Sequence, residues 1–296
     1  MKKGVYKAVR KDGTLYYRAS FTYKNKHISL GSFDDEESAH RAYLEAGYIV
    51  AREPGEIVHQ AHREAGSMGD GARSFTDGTG MAPAIEDYDK NSVLSFDKWV
   101  VLINFRDNDM YLKTPIYLKE RFFYYYFAPE DYLIFDSDDL FYYSTHSIMR
   151  RGGHYFVADF GMQVNIRSRY GIKNFAVEGR DYLFANGDKN DYRSANLIVI
   201  NRYHGVRKTE QGAKVFYEVK IHVNGDILVG RYDDENTAAV AYNKAADILN
   251  NNGIVKDFPE NYIEELDSMQ YKLLYDTVKI SDRIINLKEI DVCLYR

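Results

Sequence analysis

Apolar and polar positions alternate along residues 4–33 in three short runs, VYKAV, LYYRASFTY and KHISLG, separated by turn signals at Lys11-Asp12-Gly13 and Lys24-Asn25. This pattern predicts a three-stranded antiparallel meander. The period then changes. Ala39, Ala42, Tyr43, Ala46 and Val50 recur at helical spacing, and Asp34 with Glu37 three residues on makes an acidic version of a capping box, which predicts a helix. In the central strand, period two turns Tyr17, Ala19 and Phe21 towards the alanine stripe and leaves Tyr16, Arg18, Ser20 and Thr22 on the open face. The same succession returns later in the chain. With Gly4 set on Gly205 and Gly31 on Gly230, YRASF aligns with YEVKI and FDDEESAHRAYLEA with YDDENTAAVAYNKA, an internal repeat. In the second copy Tyr217, Val219 and Ile221 face inward, and a helix is predicted from Asp233 with Ala238, Ala241, Tyr242, Ala245 and Leu249 as its buried stripe.

Between the copies the pattern is less regular. The first helix fades through 51–65, and SMGDGARSFTDGTG has the composition of a flexible linker. From Val93 to Leu140 the chain reads as strands, with apolar runs WVVLINF and RFFYYYF. The aromatic run Phe122–Phe127 is expected to be a buried strand rather than a base-stacking platform, because no basic residue is interleaved in it. Further strand-like runs, HYFVADF and MQVNIRSRYGI, lead to a turn, a loop and a short apolar strand within Asp181–Asn201. In the tail, Ile263, Leu266, Met269, Leu273, Ile280, Ile284 and Leu287 recur at three-, four- or seven-residue steps, so Asn261–Leu287 is read as helical. It would pack on the middle domain or serve as a dimerisation helix. The expected division is 1–52, 53–92, 93–204, 205–256 and 257–296, in an α+β chain.

Charge sharpens this picture. The net charge is −5, which argues against a uniformly basic nucleic-acid protein. Its distribution is uneven: residues 1–33 hold eight lysines and arginines against one acid, Asp12, whereas 82–150 hold 12 acids and seven bases. Residues 201–232 hold six bases and three acids. A basic sheet backed by an acidic helix is the polarity that a phosphate backbone selects, with Arg10 and Arg18 central to it. The plainer alternative is a solvated sheet whose lysines discourage edge pairing. Cys293, the one cysteine, excludes an internal disulfide and a cysteine-only zinc site. No 18-residue apolar run and no signal-peptide pattern occurs, so a soluble cytoplasmic protein without membrane contact is expected. Of His40, His59, His62 and His146, only His59 and His62 stand at a ligand-like spacing, one helical turn apart in a polar segment; they are read as solvated, and no metal or cofactor is predicted.

Each repeat copy resembles the apetala-two/ethylene-response-factor DNA-binding domain. The resemblance rests on GVY or GVR at the start, an aromatic central strand, GSFD or GRYD, and the helical A-x-x-A-Y, over residues 4–50 and 205–250. It implies a three-stranded sheet laid into the major groove of double-stranded DNA. The implied contacts are Lys3, Tyr6, Tyr16, Ser20, Thr22, His27 and Ser29 in the first copy. In the second they are Arg207, Phe216, Lys220, His222 and Asp226, a weaker set because Glu218 repels phosphate.

The stretch NGD-x-x-D-x-R-x-x-NL resembles the HNH (ββα-metal) homing-endonuclease module, over roughly residues 154–204, with matches at Asn186, Gly187, Asp188, Asp191, Arg193, Asn196 and Leu197. The family's catalytic positions are replaced: Arg167-Ser168-Arg169 stands for its L-H-R, and Leu183-Phe184 for its D-H. Phosphodiester hydrolysis needs a metal and a base to activate water, and these residues supply neither. The resemblance therefore implies an inactive module in which Arg167, Arg169 and Arg193 make secondary phosphate contacts. In phage-type HNH proteins a sheet domain of the first kind is often appended to the nuclease. The expected protein is a double-stranded-DNA binder of phage or mobile-element type, regulatory or DNA-occluding. One rival is an active metal-dependent endonuclease rebuilt on Asp181 and His204. Another is an inhibitor of a nucleic-acid enzyme, docking a protein partner through the acidic middle.

Overall fold

The computed structural model describes residues 1–51 and 84–288. Residues 53–83 of the segment 53–92 expected as helix end and linker, with His59 and His62, and Cys293 lie outside the described residues. The class is α+β, with several small three-stranded antiparallel sheets and few helices. By contacts the chain forms two compact units. The first is Met1–Met149, Val157–Met162 and Lys189–Arg193; the second is Arg150–Phe156, Gln163–Asp188 and Ser194–Arg296.

In the first unit β1 (Val5–Val9), β2 (Leu15–Tyr23) and β3 (Lys26–Phe33) form a sheet in that order, followed by α1 (Glu36–Val50). Lys24 and Asn25, both at positive φ, make the two-residue turn between β2 and β3. Ala39, Ala42 and Ala46 are fully buried against Val5, Ala19, Phe21, Ile28 and Leu30. The N-cap is Asp35, one residue later than expected, its carboxylate accepting from Ser38 N–H at 2.7 Å. Of two adjacent aspartates, the second is the one that lies three residues before a free helical N–H.

The run WVVLINF, expected as a strand, is the heart of α2 (Phe96–Asn108). Trp99 to Arg106 are all buried, Asn104 and Arg106 included, so apolar residues do not mark out one face of this helix and the run shows no 3.6-residue contrast in sequence. It packs on the far side of α1. Glu45 of α1 is buried and accepts from Ser92 Oγ at 2.6 Å and Leu94 N–H at 3.2 Å, while Arg106 donates to the carbonyl of Ile49 at 2.9 Å. Ile85, within the stretch read as linker, belongs to the same core. Then follow β4 (Ile116–Leu118), β5 (Phe122–Ala128) and β6 (Asp131–Asp136), paired in that order, and the short α3 (Leu140–Thr145). The aromatic run is thus the central strand of this sheet, with Phe123, Tyr125 and Tyr126 buried.

A further sheet is made by β7 (Ile148–Arg151), β8 (His154–Asp159) and β9 (Met162–Asn165). In the second unit β10 (Tyr182–Phe184) pairs with β11 (Leu197–Val199). The helix that a ββα arrangement places after its hairpin is missing: β11 runs through residues 200–205 straight into β12 (Val206–Gln211). With β13 (Lys214–His222) and β14 (Asp226–Tyr232) this forms the second repeat sheet, covered by α4 (Glu235–Asn251). Its cap is Asp234, again one residue beyond expectation. The tail is two short helices, α5 (Ser268–Thr277) and α6 (Asp282–Asn286), rather than one. It packs on α4 and β14, with Ile263, Val278 and Ile284 buried in the second copy's core and Met269 and Leu273 exposed.

The two copies share details finer than their strand order. Gly4 and Gly205 both adopt positive φ, and in each a ring lies where a Cβ would stand, Tyr43 in one and Tyr242 in the other. Their carbonyls accept from Ser20 N–H and Lys220 N–H, both at 2.9 Å. The last strand of each sheet carries one extra residue at the same place, Leu30 and Val229, just before the aligned glycine. Gly205→Ala is expected to destabilise the second unit by about 3 kcal/mol, combining overpacking with a strained φ. Gly13→Ala, at positive φ but in open space, loses only the backbone term; urea unfolding compares the two.

Candidate nucleic-acid interface

The open face of the first sheet is set by which face α1 covers. Cross-strand register places Tyr6 beside Arg18 and Arg18 beside Ser32, Ala8 beside Tyr16, Ser20 beside Ser29, and Thr22 beside His27. No strand of this sheet contains an acid. Near the β1–β2 turn two guanidinium groups approach the Tyr16 ring, Arg10 at 5.6 Å and Arg18 at 5.5 Å from the ring centre. Arg18 also donates to the Tyr16 hydroxyl from Nη2 at 2.7 Å and Nε at 3.1 Å. The guanidinium is thereby held in one orientation, which lowers the entropy lost when it meets a ligand. Tyr6, Lys11, Thr22, His27 and Ser29 are exposed around it.

Several expected contacts stand elsewhere. Ser20 is buried, its one-carbon arm too short to rise past its neighbours. Lys3 Nζ lies 5.9 Å from the Tyr43 ring, at the helix edge of the sheet. Lys24 pairs with Asp109 and Lys26 lies over Tyr111, while Lys2 pairs with Glu37 and Arg10 with Asp34 at 3.3 Å. The sequence count of eight cations therefore overstates the positive charge of the open face.

On the second sheet the pattern is inverted. Glu218 occupies the place of Arg18, opposite Arg207, and pairs with Lys220 at 2.8 Å and Arg231 at 3.0 Å. These bonds, the Lys220 one foremost, hold its carboxyl below the usual carboxylate range. Phe216 lies under Arg231 at 5.4 Å, and His222 pairs with Asp226 at 2.9 Å. Lys220 and Arg231 are thus paired within the chain, and Arg207 is exposed.

In the hairpin region the residues that match the HNH pattern hold the backbone. In the second unit Asn196 Oδ1 accepts from Asn186 N–H, and Asn186 Oδ1 from Asp188 N–H, both at 2.8 Å. In the first unit Asp191, fully buried, takes a two-pronged bond from Arg193 at 2.7 and 2.8 Å, and Arg193 covers Phe122. Arg193 is thus a structural clamp rather than a free phosphate ligand. Arg167 lies over Tyr182 at 5.2 Å; Ser168, beside Arg169, donates to the Asn165 carbonyl.

The donor set does not fit a metal. Phe184 is buried and Leu183 half-buried. Asp181, almost fully buried, is occupied by Arg180 at 2.7 Å, Val177 N–H at 2.8 Å and Lys173 at 3.4 Å. Burial pushes its carboxyl upward, but these partners outweigh burial and the net shift is downward. His204 is pushed down by burial and by the same Lys173 ammonium, a cation standing where a second cation would have to enter. Among the described residues no three His, Cys, Asp or Glu side chains converge, and no helix is long and apolar enough to cross a membrane. No protein-family model, curated protein or solved structure matches the chain. The functional reading therefore rests on these residues.

Because the folded Asp181 carboxyl lies below its unfolded value, its contribution to stability is fully present above pH about 4 and is lost as pH falls through the folded value. Asp181→Asn should remove that contribution at neutral pH and flatten the acid limb of a pH–stability curve measured by urea unfolding.

Proposed function

We propose that the chain binds double-stranded DNA through the open face of the first sheet and performs no phosphodiester hydrolysis. The observation that carries the reading is Arg18, held on Tyr16 in the central strand of a sheet whose strands contain no acid, with Arg10 near the same ring although it also pairs with Asp34. Guanidinium groups pair with phosphate or with guanine edges, and a sheet of this width enters the major groove. The resemblance to the apetala-two/ethylene-response-factor domain supports the same docking. The second sheet, neutralised around Glu218, is a subsidiary contact. The hairpin resembling an HNH module serves as scaffold, since its catalytic positions are Ser168, Leu183 and Phe184 and Asp181 is held by cations. The biological role that fits is regulation, or occlusion of DNA from another enzyme.

A band shift on a random-sequence duplex pool, run across a salt series with and without Mg²⁺, tests this. Expected are complexes that weaken with salt and DNA that stays intact. The double variant Arg10→Ala/Arg18→Ala should bind at least about tenfold more weakly, with the log–log salt slope shallower by up to about 2. Fragments that appear only with metal would restore the endonuclease reading, and no complex at any salt would turn the search to a protein partner. Glu218→Gln, which releases Lys220 and Arg231, should tighten binding several-fold on the same gels.

A further inference from the structure

Two phenylalanines stand almost fully exposed at positive φ: Phe160 at +46° and Phe175 at +62°. A bulky L residue pays for this backbone conformation, and water pays again for the bare ring, so such a residue persists only where its surroundings impose it. Phe160 follows the acidic Asp159. Phe175 has a more basic setting, with Arg167, Arg169, Lys173 and Arg180 against Glu178, Asp181 and Asp188 in the same segment of the second unit.

The loop that carries Phe175 is braced on both sides. Ala176 N–H donates to the Lys173 carbonyl at 3.2 Å, closing a turn with Phe175 at its third position. The buried Asp181 carboxylate holds Val177 N–H at 2.8 Å on one flank and the Lys173 ammonium at 3.4 Å on the other. Lys173 is fixed in turn by the Tyr203 carbonyl at 2.7 Å. The ring is therefore presented on a rigid frame, 91% exposed, with half-exposed Val177 two residues away and the Arg180 guanidinium beside the frame.

We infer that Phe175 is a wedge that inserts between neighbouring base pairs of duplex DNA, while the exposed Arg169 and Arg180 of its segment contact the flanking phosphates. Apolar side chains held out on a rigid loop among cations part a base step and kink the duplex. The turn needs no phenylalanine for its own sake; glycine or asparagine takes this φ at less cost. The inference rests on the duplex-binding reading.

The test uses the full chain and a duplex retained in the band shift, dye-labelled at both ends, with 2-aminopurine scanned through it. Wild type should shorten the end-to-end distance, corresponding to a bend of at least about 20°, and brighten 2-aminopurine at one step. Phe175→Gly suits the backbone, so its melting temperature should equal or exceed that of wild type. It should keep the salt-sensitive complex and lose both the bend and the brightening, and Phe175→Trp should restore them. An equal bend by Phe175→Gly would overturn the wedge and leave the duplex reading intact. A Phe175-dependent attachment to anionic vesicles with no bend in DNA would also overturn it, in favour of a membrane surface. No complex between wild type and any duplex would overturn both readings.

Discussion

A tyrosine ring resting on a glycine fixes each repeat copy. Tyr43 over Gly4 and Tyr242 over Gly205 bring the helix closer to the sheet than any Cβ at those positions would permit. The glycine carbonyl then bonds to the central strand, so helix, first strand and central strand are set by one small group of atoms. The bulge after Ala19 and after Val219 keeps Ile28, Leu30, Ile227 and Val229 pointing under the helix despite the extra residue. With one face committed to a stripe of alanines, the other face of each three-stranded sheet is covered by no helix among the described residues. Its side chains must be ones that water, or a polar partner, accepts.

That requirement is met in two opposite ways on the same frame. In the first copy the central position is Arg18, steadied by Tyr16 and not by a carboxylate. In the second it is Glu218, which binds two neighbouring cations and leaves the face close to neutral. A backbone contact to phosphate is worth little where the cation must first leave an internal carboxylate, whereas a guanidinium parked on a phenol gives up a weaker bond. The difference between the copies is therefore one of exchange cost rather than of formal charge alone. The first sheet also shows why counting charges misleads. Lys24 and Lys26 sit at the tip that docks on Asp109 and Tyr111, so two cations of the basic run hold the unit together.

Much of this frame was legible from period and turn chemistry. Three strand runs, two turns and an alanine stripe are local patterns, and they gave the order of strands and helix in both copies, with the third strand of the first copy running two residues beyond KHISLG. The one-residue errors at Asp34 and Asp233 arose because Asp-Asp offers two caps of equal chemistry, and only the path of the preceding strand chooses between them. WVVLINF failed for a different reason: a helix buried on all sides carries no polar face to reveal its period. The tail misled in the converse sense. Its apolar residues follow the second core at regular intervals, yet they do so from two short helices and the chain around them, so the spacing records contact with the core rather than a continuous helix. The docking of α2 on α1, through Glu45 and Arg106, joins residues about half a hundred positions apart, and no local pattern could announce it. Nor could the positive φ of Phe175, which belongs to the loop and not to the residue.

The hairpin between the copies separates two roles that a catalytic motif usually merges. Residues matching the HNH pattern, Asn186, Asp188, Asp191, Arg193 and Asn196, bond to backbone or to one another and shape the loop. The positions that would do chemistry hold Ser168, Leu183 and Phe184. Loop shape thus depends on a different set of residues from metal binding, and losing the second set leaves the first intact. Asp181 carries the argument one step further. A buried carboxylate with two cations and a backbone N–H around it is fully compensated, and a metal would have to displace Lys173 against the burial cost of whatever remained. The charge of Asp181 is here used to brace the loop that holds Phe175, through Val177 N–H and Lys173. A loop braced in this way is rigid, and rigidity is the property that a side chain held out towards a partner requires.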